Sequence, residues 1–424
     1  MTIRNVFHLV SFCLLSVLSG QASAVDTIKI AFIDALSGQY ADIGFESLKQ
    51  FQEAIAYTNA NGGALGLNLE LVPLDDQSSV QQALDNLDLA IRQGIRYVTQ
   101  GNNPDVSVAL AKAIEAHNLE NPGRAVLYLD YGDGAPQLDN EQCSFWHFRF
   151  DASVAMKVRA LVAGIPSDGS IETIYLLNQD NPWGHQASRE IQRALSQMRP
   201  GIEIVGDDLH PTGAVQDFSA SIETIIASGA DAIVTADRGT DLIGIMSAIG
   251  KSSEVKPVFI VSNTVSGVPA AIGERGTNRV TGVFTWHANI GDNRLDLFAG
   301  AYRKKHGEDW NGLASYVAVQ MLAASMDNAR STDPLQVASV LEGLSFLGAT
   351  GPTAIREDNH QLLQPLFLAR LVSASGARDA DAAGAIHAVA GSGLAWQTVL
   401  RSEPDETALE TSCRMQRPAS AKKH

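Results

Sequence analysis

The residues best equipped for binding chemistry sit in loops that follow short apolar runs. Gln100-Gly101-Asn102-Asn103-Pro104-Asp105-Val106-Ser107 follows a run that ends at Thr99. Its amides would be exposed where a helix begins, which suits an anion such as a carboxylate, with Asp105 or Ser107 as the N-cap. Asn102, Asn103, Asp105 and Ser107 are therefore candidate ligand contacts, or residues that merely cap and turn. A second loop, Asn178-Gln179-Asp180-Asn181-Pro182-Trp183-Gly184, carries Trp183. An exposed indole at a strand end binds more often than it fills a core. A third loop, Ala236-Asp237-Arg238-Gly239-Thr240-Asp241, carries Arg238. Its guanidinium can fork onto a ligand oxyanion, or pair with Asp237 or Asp241.

The signatures of catalysis are missing. The ten histidines are scattered, with no His-Glu-x-x-His and no Cys/His spacing suited to a metal. No Gly-x-Ser-x-Gly elbow occurs. Gly250-Lys251-Ser252 resembles the end of a phosphate loop, but Ile245 stands where its first glycine belongs. Asn61-Gly62-Gly63-Ala64-Leu65-Gly66 precedes a strand, whereas a dinucleotide loop follows one, so it reads as a turn. The expectation is a binding protein that is not an enzyme and has no metal or cofactor.

Positioning such loops requires strands that end beneath them. Candidate strands are Ile28–Ile33, Leu67–Val72, Ile95–Thr99, Ala125–Asp130, Thr173–Asn178, Ile202–Val205, Ala232–Thr235, Val258–Val261 and Val280–Trp286. Most are continuous apolar runs, the pattern of strands covered on both faces of a parallel sheet. Helical periods separate them. Phe45, Leu48, Phe51 and Ile55 form one stripe, and Val80, Ala83, Leu84, Leu87, Ala90 and Ile91 form another. The alternation runs twice, before and after about residue 150, and predicts two doubly wound α/β lobes. Helices are expected over 294–306 and 314–330, a loose loop over 374–390, and a disordered tail from Arg414.

The bulk numbers agree with a secreted globular chain. Arg4, the apolar run 6–18 and Ala22-Ser23-Ala24 read as a signal peptide cleaved after Ala24. No later stretch reaches the ~20 apolar residues of a membrane span. Cleavage removes one arginine and no acid, so the net charge moves from −16 to −17. That argues against nucleic acid and anionic membrane surfaces as partners. Of three cysteines, Cys143 and Cys413 remain after cleavage. In an oxidising compartment one disulfide is the default, with two buried free thiols as the alternative.

Several segments together resemble the branched-chain-amino-acid-binding type of periplasmic receptor for ABC importers. They are Ile28–Gly38, Asn59–Gly63, Leu74–Gln77, Cys143–Arg149 and Ile355–Gln361, spread in order over 26–372. The resemblance implies two lobes joined by a three-segment hinge. One lobe is placed at 26–150 and 287–350, the other at 151–286 and 351–400, with 401–424 as a tail. It implies ligand contacts from Tyr131 and Asp133 after the strand ending at Asp130, and from Thr264 after Val261. Trp183 takes the place of an aromatic residue that covers ligand in the family. Relatives that bind amino acids carry an acid near Thr264, and this chain has none there. The implied function is capture of a small polar molecule, carboxylate-bearing or amino-acid-like, by hinge closure in the periplasm. The partner is then the membrane permease of an ABC importer and the protein a monomer. A periplasmic sensor or receptor accessory protein of the same fold is the alternative.

Overall fold

A computed structural model of the chain describes residues 27–262, 266–291, 293–375 and 386–419. The signal segment and Thr264 lie outside these residues.

Five parallel strands make the first sheet: β1 (Thr27–Asp34), β2 (Asn68–Asp75), β3 (Tyr97–Gln100), β4 (Leu127–Asp130) and β5 (His147–Arg149), ordered β2-β1-β3-β4-β5. Helices α1 (Ala41–Ala60), α2 (Val80–Arg92) and α3 (Pro104–Glu120) connect its strands. The chain then passes to a seven-stranded sheet through α4 (Val154–Ala163). Its parallel part is β6 (Thr173–Gln179), β7 (Glu203–His210), β8 (Ala232–Thr235), β9 (Val258–Ile260) and β10 (Val280–Phe284). Between these strands run α5 (Pro182–Met198), α6 (Ser219–Ala227), α7 (Gly239–Lys251) and α8 (Val268–Ile272). After β10 the chain returns to the first lobe as α9 (Asp296–His306), α10 (Leu313–Ala329) and α11 (Pro334–Leu341). A small antiparallel sheet follows, made of β11 (Ser345–Gly348), β12 (Gly351–Ile355) and β13 (Leu362–Leu363). The antiparallel pair β14 (Leu366–Ser373) and β15 (Leu394–Ser402) closes the second sheet beside β10, and α12 (Pro404–Thr407) ends the secondary structure. The chain thus crosses between the two sheets three times, after β5, after β10 and between β13 and β14. This is a two-lobed α/β fold with mostly parallel sheets.

The covering of both sheet faces explains the apolar runs. One core packs the first sheet against its helices, with Phe32, Phe51, Tyr128 and Phe148 fully buried. Two separate cores cover the two faces of the second sheet, one under α4 and α5 and one under α6, α7 and α8. Polar side chains fix where helices start. Ser79, Asn103, Ser153, Asn181 and Asp333 each accept a backbone N–H from the first turn that they precede.

The structure corrects several sequence expectations. Asn103 caps α3, with Pro104 in its first position, where Asp105 or Ser107 was expected. Phe45 and Val80 were placed on buried helix stripes, but they are 54% and 37% exposed. On α1 the buried face is instead Gly44, Ser47, Gln50, Phe51, Ala54, Ile55 and Thr58, and α1 starts so close to the turn after β1 that a Cβ on Gly44 would stand 1.7 Å from the Ala35 oxygen. Finally, the tail from Arg414 is docked as far as it is described. Arg417 bonds the Glu342 carboxylate and the Glu357 carbonyl, and Met415 packs against the first core. Cys413 is bonded to Cys143, with 5.7 Å between their Cα atoms. Residues 386–390 of the expected loose loop are held by hydrogen bonds to Asn289, Arg303 and Asp309.

Candidate functional site

The carboxyl ends of β1, β3, β4, β8 and β9 face one cleft, which encloses a cavity of about 280 Å3. Its wall from the first lobe includes Asp42, Ser47, Asn102, Tyr131 and Asp133, and from the second lobe Arg238, Thr240 and Ser262.

Asp133 is the meeting point of the two lobes. Its carboxylate accepts from Lys157 Nζ at 2.7 Å, from Ser262 Oγ at 3.2 Å and from the Arg238 guanidinium. Lys157 rises from α4 and also reaches Asp151 at 2.6 Å. All four charged groups are buried or nearly so. Burial alone would raise the Asp133 carboxyl, but Arg238 and Lys157 outweigh it and hold the group well below the usual carboxylate range. Burial pushes Asp151 up, with Lys157 opposing. Burial likewise works against the Lys157 charge, yet Asp133 and Asp151 raise its affinity for the proton overall.

A second buried carboxylate, Asp34, organises the loop after β3. It accepts the amides of Gly101 at 3.2 Å and Asn102 at 3.3 Å, together with the Tyr131 hydroxyl. Burial raises its pKa despite these donors. Tyr131 stacks on Phe32 with ring centroids 6.1 Å apart, and the Asn102 amide donates to the Tyr131 oxygen at 3.0 Å. At the far wall, the Thr240 amide in the first turn of α7 donates to Asp42 of the first lobe at 3.2 Å.

The structure brings together four of the candidates, Asn102, Tyr131, Asp133 and Arg238, on the cavity wall. Trp183 lies one layer beneath. It is 3% exposed, donates from Nε1 to the Ala236 carbonyl at 2.7 Å, and carries the Arg238 guanidinium 3.4 Å above its ring. It positions Arg238 and does not itself line the cavity. Neither Asp237 nor Asp241 pairs with Arg238. Asp237 accepts from His210 at 2.9 Å, and Asp241 accepts from Gln179 and the Gly213 amide, each at 2.8 Å. Asn103 and Ser107 serve the start of α3, Ser107 donating to Gln100 at 2.6 Å, and Asp105 is exposed on the same helix. Sequence reasoning missed Asp34, Asp42, Asp151, Lys157 and Ser262. Two signals were present: Asp34 ends a strand in the ligand-facing direction, and Lys157 interrupts the apolar stretch Val154–Ala163. Among the described residues, no group of three or more His, Cys, Asp or Glu side chains could hold a metal ion, and no helix is long and apolar enough to cross a membrane.

A family model described as a periplasmic binding protein matches residues 27–377. The Leu/Ile/Val-binding protein homolog 4 of Brucella melitensis is 26% identical over 365 residues, covering 84% of this chain and 86% of the relative. Among solved structures, the Leu-, Ile-, Val-, Thr- and Ala-binding protein of Brucella ovis in its closed conformation superposes with a TM-score of 0.78 at 23% identity. That match covers 93% of this chain and all of the other. A solute-binding protein of an ABC transporter from R. palustris, in complex with benzoate, superposes with a TM-score of 0.71 at 15% identity, over 89% of this chain and 97% of the other.

Proposed function

The chain belongs to the periplasmic binding protein family, and from that premise we propose that it is the solute-binding component of an ABC importer. It takes a small polar molecule into the interlobe cleft and presents the closed form to a membrane permease.

One observation carries this reading: the Asp133 carboxylate of one lobe is gripped by Arg238, Lys157 and Ser262 of the other, directly on the cavity wall. Such contacts exist only while the lobes are together. A ligand that fills the cavity therefore shifts the population toward that state, which a permease can distinguish from the open one. The importer assignment rests on the family. Export through a signal peptide ending at Ala24 fits the same reading, as does a disulfide between Cys143 and Cys413 in an oxidising compartment. Amino acids, named for the Brucella relatives, and aromatic acids, as in the benzoate complex, belong in a first ligand panel alongside their neutral analogues.

Thermal unfolding of the mature protein against such a panel tests the proposal. A ligand present at about a hundred times its dissociation constant adds about 2.7 kcal/mol, a shift of several degrees. Small-angle scattering should show compaction with the same compound. Hydrolysis or conversion of that compound by the purified protein would sink the reading.

A further inference from the structure

The cleft already sets a carboxylate of its own against the loop amides, the Thr240 amide and the cations that a ligand's carboxylate would use. The amides of Gly101 and Asn102, at the end of β3, are taken by Asp34. The exposed amide at the start of α7, Thr240, is taken by Asp42 from the opposite lobe. Arg238 is taken by Asp133, and Lys157 by Asp133 and Asp151 together. The carboxylates of Asp42, Glu46, Asp133 and Asp151 line the cavity; among the described residues Arg238 is the one cation on its wall, with Lys157 directly behind and Lys49 pairing with Glu46 at 2.8 Å from outside. A ligand anion would find its cationic partners neutralised and a surplus of like charge around it, in a site where burial weakens screening.

Resting on the binding-protein reading above, we propose that the ligand of this cleft carries no carboxylate and is an uncharged or cationic small molecule with hydroxyl, amide or amine groups. The groups left for it suit that chemistry. Ser47, Ser266, Thr285 and Ser315 bring hydroxyls to the wall, and the Arg238 Nε–H is buried without a partner. A hydroxyl or carbonyl oxygen satisfies such a donor once Asp133 has balanced the guanidinium charge. An amine is favoured further by the excess of acids. The absence of an acid near Thr264 ceases to be a defect, because Asp42 of α1 supplies negative charge from the other lobe, Glu46 being balanced by Lys49.

The test is calorimetric titration and thermal unfolding of the full mature protein with a library built in pairs. Each acid is matched by a neutral or amine counterpart: leucine by leucinol and leucinamide, benzoate by benzyl alcohol and benzylamine. The expected result is that binding members lack the carboxylate and exceed their acid partners by about 100-fold or more in affinity. An acid that binds as well as its counterpart overturns the inference and leaves the binding-protein reading standing. Silence from both members of every pair removes both. A second arm uses D133N and D42N, each checked for folding by circular dichroism. Releasing Arg238 and Lys157, or the Thr240 amide, should raise affinity for the acid members at least about tenfold. Unchanged rejection of acids by both folded variants also overturns the inference.

Discussion

At the scale of single residues, the cleft depends on Lys157 more than on any group that the sequence singled out. Its ammonium is fully buried and serves two carboxylates and the Ser262 hydroxyl. Removing one member of such a set strands the others. Lys157→Met should therefore lose about 3–5 kcal/mol of stability, read from the urea midpoint, because Asp151 would lose its cation and face Asp133, which would keep only Arg238. His287 is buried against the rings of Phe284 and Phe367. Burial lowers its pKa to about 3, so the folded protein holds it neutral. Nδ1 accepts the Asn289 amide at 3.3 Å, which leaves Nε2–H to donate to Thr398 at 2.9 Å. The unfolded chain binds a proton there near pH 6.5, so stability from this residue is present above that value and is lost as pH falls towards 3. Between pH 7 and pH 5 the loss amounts to about 2 kcal/mol. His287→Gln, which can keep the hydrogen bond to Thr398, should show a flatter stability profile by that amount in paired urea titrations at the two pH values.

At the scale of elements, local pattern and long-range partnership separate cleanly. Nine of the fifteen strands among the described residues overlap apolar runs read from the sequence; seven of these are interior strands, written as such runs because they are mostly buried on both faces, and β2 and β7 are edges that overlap only in part. β5 escaped because it is three residues, His147–Arg149, two of them polar and tied to Asp130 and Asp139. Among the later strands β13 is two residues long and the second half of β15, at the sheet edge, alternates between exposed and covered positions, whereas β14 is an apolar interior strand that the sequence reading passed over. Within the site, the strand-end loops were legible, whereas the partners within them were not. Asp133 meets Lys157 across 24 positions, Arg238 across 105 and Ser262 across 129, and nothing local encodes those pairings. Trp183 was legible as a residue near the cleft. Its depth was not, because that depends on how α5 seats. There Gly184 permits the seating: a Cβ on it would lie 1.9 Å from the Gln179 oxygen. Gly184→Ala should lift the first turn of α5, cost about 1–3 kcal/mol, and change the tryptophan fluorescence as Trp183 shifts beneath Arg238. Unaltered emission with unaltered melting would refute that account of the turn.

At the scale of the whole molecule, the two lobes are held by three chain crossings, by the Asp133 cluster, and by a tail running from α12 of the second lobe to Cys143 of the first. Arg238→Ala removes one interlobe ion pair and its stacking on Trp183, and should leave the unliganded protein more open, with a larger radius of gyration in scattering. Replacing both Cys143 and Cys413 by serine should lower stability by about 2–5 kcal/mol in thermal unfolding. The same bond has a consequence for the integrity of the chain. Residues 143 and 413 are 270 positions apart, and almost everything that forms the second lobe lies between them. A protease that cuts one peptide bond anywhere in that interval yields two pieces that stay covalently joined. Nicked protein should run on a gel at full mass until it is reduced, and the severed ends remain docked where the intact chain left them. The second lobe is thus carried as a loop closed at its neck, one that a single cut can open without releasing.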